Sequence, residues 1–253
     1  APNEGHRTLP PPRNFVSPQE HVRGRHRLGH TADAWRRFAL RTREADRFCS
    51  VIYRNGGFVL FHRATFWIIV AIAAVAGAAG FQLAAHSIDF ARLLSAQPWL
   101  TTAVLLLALL ATSMLHVLVH ALACKAHGRH VRELGFFLLQ GVLPTFYADV
   151  TDIFMSNRRA RLLVDMAGPL VEVFLGSIAM LAAYSSSPGT GQALLFGIGV
   201  LLWEGALINL YPFSFLELDG YNILADLVAM PMLPKQALAL FPHLGQRLRE
   251  ART

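Results

Sequence analysis

Four long apolar runs limit what this chain can fold into. They cover residues 65–85 (TFWIIVAIAAVAGAAGFQLAA), 99–123, 160–184 and 192–211. Each is close to the roughly 20 residues that a helix needs to cross the hydrocarbon core of a bilayer. Within lipid, every backbone N–H and C=O needs a partner in the protein, so such runs form helices. Composition agrees, with 54% of the 253 residues apolar and only 15% charged, where a soluble domain carries about 25% charge. The expected fold class is an all-α membrane protein with about four transmembrane helices.

Charge sets the orientation. Residues 1–63 hold twelve Arg and no Lys against five acids, which accounts for the whole net charge of +7. Residues 124–161 add Lys125, Arg129, Arg132, Arg158, Arg159 and Arg161, whereas 86–98 carry one Arg and 185–191 no charge. The positive-inside rule then places both termini in the cytoplasm. The Arg-rich arm has no zinc-finger or RNA-binding signature, so an anionic membrane surface suits it and nucleic acid is not an expected partner. Cys49 and Cys124 alone give no disulfide framework. Residues 1–30 contain no apolar core of the kind a secretory signal needs.

Three regions follow: a basic cytoplasmic arm over 1–63, a transmembrane domain over 64–235, and a cytoplasmic tail over 236–253. Residues 1–48, with Pro10-Pro11-Pro12, read as a flexible arm. A short amphipathic helix is expected over Ala32–Val51, where Trp35, Phe38, Leu40, Phe48 and Val51 can rest on lipid. Two apolar segments are too broken for simple spans. Residues 131–150 carry Gly135, Gly141 and Pro144 and read as a re-entrant or membrane-edge hairpin. Residues 212–234 start with Pro212 and contain Leu218-Asp219-Gly220, which reads as a broken helix with its polar turn facing the bundle. Trp67, Trp99 and Trp203 read as span or interface anchors.

His116 and His120 lie four apart on the second run, so a helix puts both imidazoles on one face. The spacing fits a metal ion, a haem or pigment, or two hydrogen-bonded histidines. Asp219 favours the metal, because two His and a carboxylate leave one position open on a tetrahedral ion. Gly220 lets the backbone turn and brings that carboxylate inward. Asp219 can equally cap a following helix.

With these residues in hand, the chain resembles the site-2 protease family of intramembrane zinc metalloproteases, most closely its bacterial peptide zinc metalloprotease branch. HVLVHALACKAHGRHVRELGFFLLQGVLPTFYADVTD, RARLLVDMAGPLVEVFLG and INLYPFSFLELDGYNILAD follow the family's blocks in order, over roughly residues 48–235. The resemblance implies a site-2 protease-like core in a bacterial inner (cytoplasmic) membrane, with zinc as cofactor. It makes His116, His120 and Asp219 the ligands. Asn209 and Pro212 match residues that shape the approach to the Asp, and Asp149 and Asp152 lie in a stretch the family also favours. Those two can orient a ligand His or cap the next turn.

Two positions depart from the family. Its general base, the Glu directly after the first His, is Val117 here. Its usual Asn after Ala-Gly-Pro is Glu172. Glu172 can replace the lost base, act as a fourth zinc ligand, or be a hydrogen-bonded carboxyl inside the bundle. The expected function is a catalytically impaired homologue that serves as a membrane subunit or as a scaffold binding a peptide or membrane protein, within a larger membrane complex. The alternative is an active protease cleaving a membrane-associated peptide.

Overall fold

In a computed structural model, residues 37–41, 43–86, 96–139, 143–212 and 218–228 are described. The triple proline, Trp35, the tail 236–253 and parts of the broken segment 212–234 lie outside them. A strand β1 (Arg37–Arg41) leads into helix α1 (Arg43–Arg54) and a short 3-10 turn at Gly57–Phe61. Helices α2 (Arg63–His86) and α3 (Pro98–Ala126) come next. A hairpin follows, of β2 (Glu133–Leu139) and β3 (Leu143–Asp149). Helices α4 (Arg158–Ser185), α5 (Thr190–Leu210) and α6 (Asp219–Val228) complete the described chain.

Helices α2, α3, α4 and α5 are each long and apolar enough to cross a membrane, and they coincide with the four runs. Local chemistry fixes their ends. Pro98 occupies the first position of α3, where a missing N–H costs nothing. Asn157 caps α4 by accepting a hydrogen bond from the Ala160 N–H at 2.9 Å. Gln192 donates to the carbonyls of Ala183 and Ser186, joining the start of α5 to the end of α4.

Helix α4 is the central span, packed against α2, α3, α5 and α6. Pro169 lies inside it and is fully buried. Trp203 of α5 donates to Val173 O at 3.2 Å and Ser177 Oγ at 3.3 Å, and a side chain at Gly176 would strike its ring. Trp203 is therefore a packing residue between spans and not an interface anchor. Trp67 and Trp99 are exposed, as anchors would be.

The expected hairpin is present, antiparallel with Glu133 opposite Asp149 and Gly135 opposite Tyr147. The single helix expected over Ala32–Val51 is corrected. Residues 37–41 instead form a third strand, pairing antiparallel with β2 from Arg37↔Phe137 to Arg41↔Glu133, and the helix begins only at Arg43. Ala45 and Cys49 of α1 are fully buried against Leu122, Ala123 and Cys124 of α3, Val131, and Val164 of α4. Phe48 and Val51 are exposed on its other side. This part of the basic arm is thus packed on the bundle. Burial pushes the Cys49 thiol up to about 11, so it behaves as an apolar core residue.

Asp46 fastens this end. Its Oδ1 accepts from Lys125 Nζ at 2.9 Å and from the Val131 N–H at 3.0 Å. Burial raises its pKa, but Lys125 and the Val131 N–H outweigh that and hold it below the ordinary carboxylate value. A lowered pKa means the stabilisation is complete above the unfolded value of about 4 and disappears as pH falls through the folded value. Asp46→Asn is expected to cost about 1–2 kcal/mol at pH 7. The difference from wild type should close below that pH range, as melting curves in detergent would show. An equal gap at every pH would mean that shape, not charge, does the fastening.

Candidate metal centre

The site is built where α3, α4, α5 and α6 meet. His116 and His120 lie one turn apart on α3, with their Nε2 atoms 3.0 Å apart. Asp219, the first residue of α6, brings Oδ2 to 3.1 Å from His116 Nε2 and 3.4 Å from His120 Nε2. Among the described residues these three form a group that could hold a metal ion.

The far side of each ring fixes its tautomer. His120 Nδ1 is 2.6 Å from the Val164 carbonyl, which only accepts, so Nδ1 carries the hydrogen. His116 Nδ1 is 2.9 Å from Glu172 Oε1. The Asn209 amide donates to both oxygens of that carboxyl group at 3.1 Å. Glu172 therefore takes the accepting role toward His116 as well, and both Nε2 atoms present lone pairs.

Asp219 Oδ2 is buried without a hydrogen-bond partner, although both Nε2 atoms lie within ion-pair distance. The two descriptions agree once the tautomers are assigned, since proximity without a hydrogen is not a hydrogen bond. Three acceptor atoms thus converge on one point, and a cation or an extra proton has to compensate them.

The donor set fits zinc. With Zn–N and Zn–O bonds of about 2.0–2.1 Å, a tetrahedron has edges of roughly 3.3 Å. The observed edges are 3.0, 3.1 and 3.4 Å. Gly168 of α4 lies directly beneath, where a Cβ would collide with both Nε2 atoms. Only a glycine leaves that space free.

Sequence reasoning singled out Glu172 but not the rest of the strip of α4 to which it belongs. Arg161, Asp165, Gly168 and Glu172 recur at intervals of four, three and four, which is one helical face. Arg161 binds Asp226 of α6, Gly168 lies beneath the imidazoles, and Glu172 backs His116. The spacing was readable, but not the direction in which it pointed.

The remaining sequence candidates fall into place differently. Val117 is half-buried and packs against the apolar cluster of α1, α3 and α4, offering no titratable group. Glu172 lies on the Nδ1 side of His116, where its carboxyl group meets that nitrogen and the Asn209 amide. Gly220 does not supply a positive φ. It is needed because a Cβ there would strike the Leu210 carbonyl, so it permits close approach of α6 to α5. Pro212 follows the end of α5, where Tyr211 turns extended. Asp149 accepts from the N–H and hydroxyl of Thr151, and Asp152 from the His130 N–H. Those bonds hold the 130–152 turns, and the structure does not bring either carboxylate to the histidines. Cys124 is buried in the core, with its thiol directed at His130 O.

Comparison with known proteins adds a second line. The chain is 28% identical over 119 residues to "Putative peptide zinc metalloprotease protein YydH" of Bacillus subtilis, a match covering 46% of this chain and 44% of that protein. It is 30% identical over 141 residues to "Putative zinc metalloprotease sll0528" of Synechocystis, covering 55% of this chain and 35% of that protein. The matched stretches thus span less than half the length of either relative. No family model matches, and no solved structure matches. Both relatives carry zinc metalloprotease in their names, and this similarity agrees with the resemblance to the site-2 protease family drawn from the motifs.

Proposed function

We propose that this chain is a catalytically impaired intramembrane zinc metalloprotease homologue that works as a membrane subunit or a peptide- or protein-binding scaffold. One observation carries the reading: three metal-type donors converge while the position after His116 holds a valine. A zinc ion held by His116, His120 and Asp219 would act as a Lewis acid toward a carbonyl or water. Hydrolysis also needs a group that takes a proton from the attacking water and returns it to the leaving amine. Val117 cannot, and Glu172 is engaged with His116 and Asn209. The chain's own residues therefore support holding an ion and a polar ligand better than turning one over. The basic residues after α3 and at the start of α4 support a reading in which this centre lies toward the cytoplasmic side of a bacterial inner membrane.

The test is metal analysis of the full chain purified in detergent, with a cleavage assay on the same sample. About one zinc per chain without peptide cleavage is the expected result. A chain that neither carries zinc nor takes it up removes the metal half of the proposal, and efficient cleavage removes the other half.

A further inference from the structure

Asp219 does not belong to a spanning helix. It opens α6, which has ten residues and buries only Gly220 and Tyr221. So short a helix has little apolar surface of its own to hold it in place. At its start, Gly220 fits against the Leu210 carbonyl. At its end, Arg161 Nε lies 3.0 and 2.8 Å from the two oxygens of Asp226. Arg158 also donates to the Leu227 carbonyl. Asp219 and Asp226 are seven apart, two helical turns, so both face α4. The pair is partly buried, with side-chain exposures of 23% and 18%, so water screens it less than a surface pair. Both arginines lie in the first turn of α4, the helix that also provides Gly168, Glu172 and the Val164 carbonyl to the histidines.

We infer that Arg161 and Asp226 are a positioning pair for the candidate metal centre: they seat α6 on α4 so that Asp219 reaches the two imidazoles. The effect on zinc rests on the metal reading above, whereas the seating of α6 does not. Removing the pair leaves His116, His120 and their supports intact and loosens the third ligand alone. The pair acts as a unit, so losing either member should cost as much as losing both.

The experiment uses the full chain in detergent and zinc alone, with affinity measured by competition against a chromophoric chelator. Arg161→Gln and Asp226→Asn are each expected to weaken zinc binding about 10- to 100-fold. The double variant should be no weaker than the weaker single one, and Arg161→Lys should fall between wild type and Arg161→Gln. Asp46→Asn, which breaks an ion pair elsewhere, should bind zinc as wild type does. A second measurement needs no metal: spin labels at Leu163→Cys and Leu227→Cys, both exposed positions, report the distance between α4 and α6. Asp226→Asn should lengthen or broaden it. If wild type takes up no zinc but the distance still changes, the metal reading falls and the seating role stands. If wild type binds zinc and Asp226→Asn binds it equally with an unchanged distance, the pair has no such role. Additive losses in the double variant would likewise overturn it.

Discussion

Val117→Glu is expected to raise peptide hydrolysis by this chain about 10²- to 10⁴-fold, the usual contribution of a positioned general acid–base group. Three donors at 3.0 to 3.4 Å already offer a place for the ion. Position 117, next to His116, holds a valine and no proton acceptor. Position 117 follows His116 on the same helix, so a Glu there has the reach to act at the ion. The cost is apolar contact, because Val117 packs against the buried cluster. A carboxylate facing that cluster should destabilise the helix end by about 1–3 kcal/mol. Val117→Gln carries the same bulk without a titratable group, so it separates the two effects. Cleavage of a single-span peptide in micelles should appear with Glu and not with Gln. Wild-type chain cutting as fast as Val117→Glu would show that another residue moves the proton and that the impaired reading is wrong.

What the sequence revealed and what it hid follow from the range of the forces involved. The four spans were legible because the bilayer imposes one length and one composition on each, independent of neighbours. His116 and His120 were legible because helical periodicity alone puts them together. The meeting of Asp219 with them needed two distant segments, and it came from the resemblance together with the Leu-Asp-Gly turn. Strand β1 was not legible. Residues 37–41 become a strand by pairing with β2 about a hundred residues later, and no local signal carries that partner. The close fit of Gly220 against the Leu210 carbonyl was not legible for a similar reason, since a tight turn and a close helix contact both ask for glycine. Glu172 illustrates the same limit. Its burial could be expected from its span, but its direction depends on Asn209, thirty-seven residues further on.

Gly168→Ala should disrupt the centre directly. The added Cβ would overlap both Nε2 atoms and the Cε1 of His116, which is where the three acceptor atoms point. Helices α3 and α4 would have to separate, and both back-side bonds, His120 to Val164 O and His116 to Glu172, run between those two helices. Zinc affinity is expected to fall at least about 100-fold, because ring orientation and ion space are lost together. Overpacking should also lower stability by about 1–3 kcal/mol. Gly176→Ala provides the contrast: its Cβ meets Trp203 and not the histidines, so it should lower the melting temperature with far less effect on zinc. Gly191→Ala, with open space around it, should do neither. If Gly168→Ala binds zinc like wild type, α4 does not pass closely beneath the imidazoles, and the space at Gly168 is not what admits the ion.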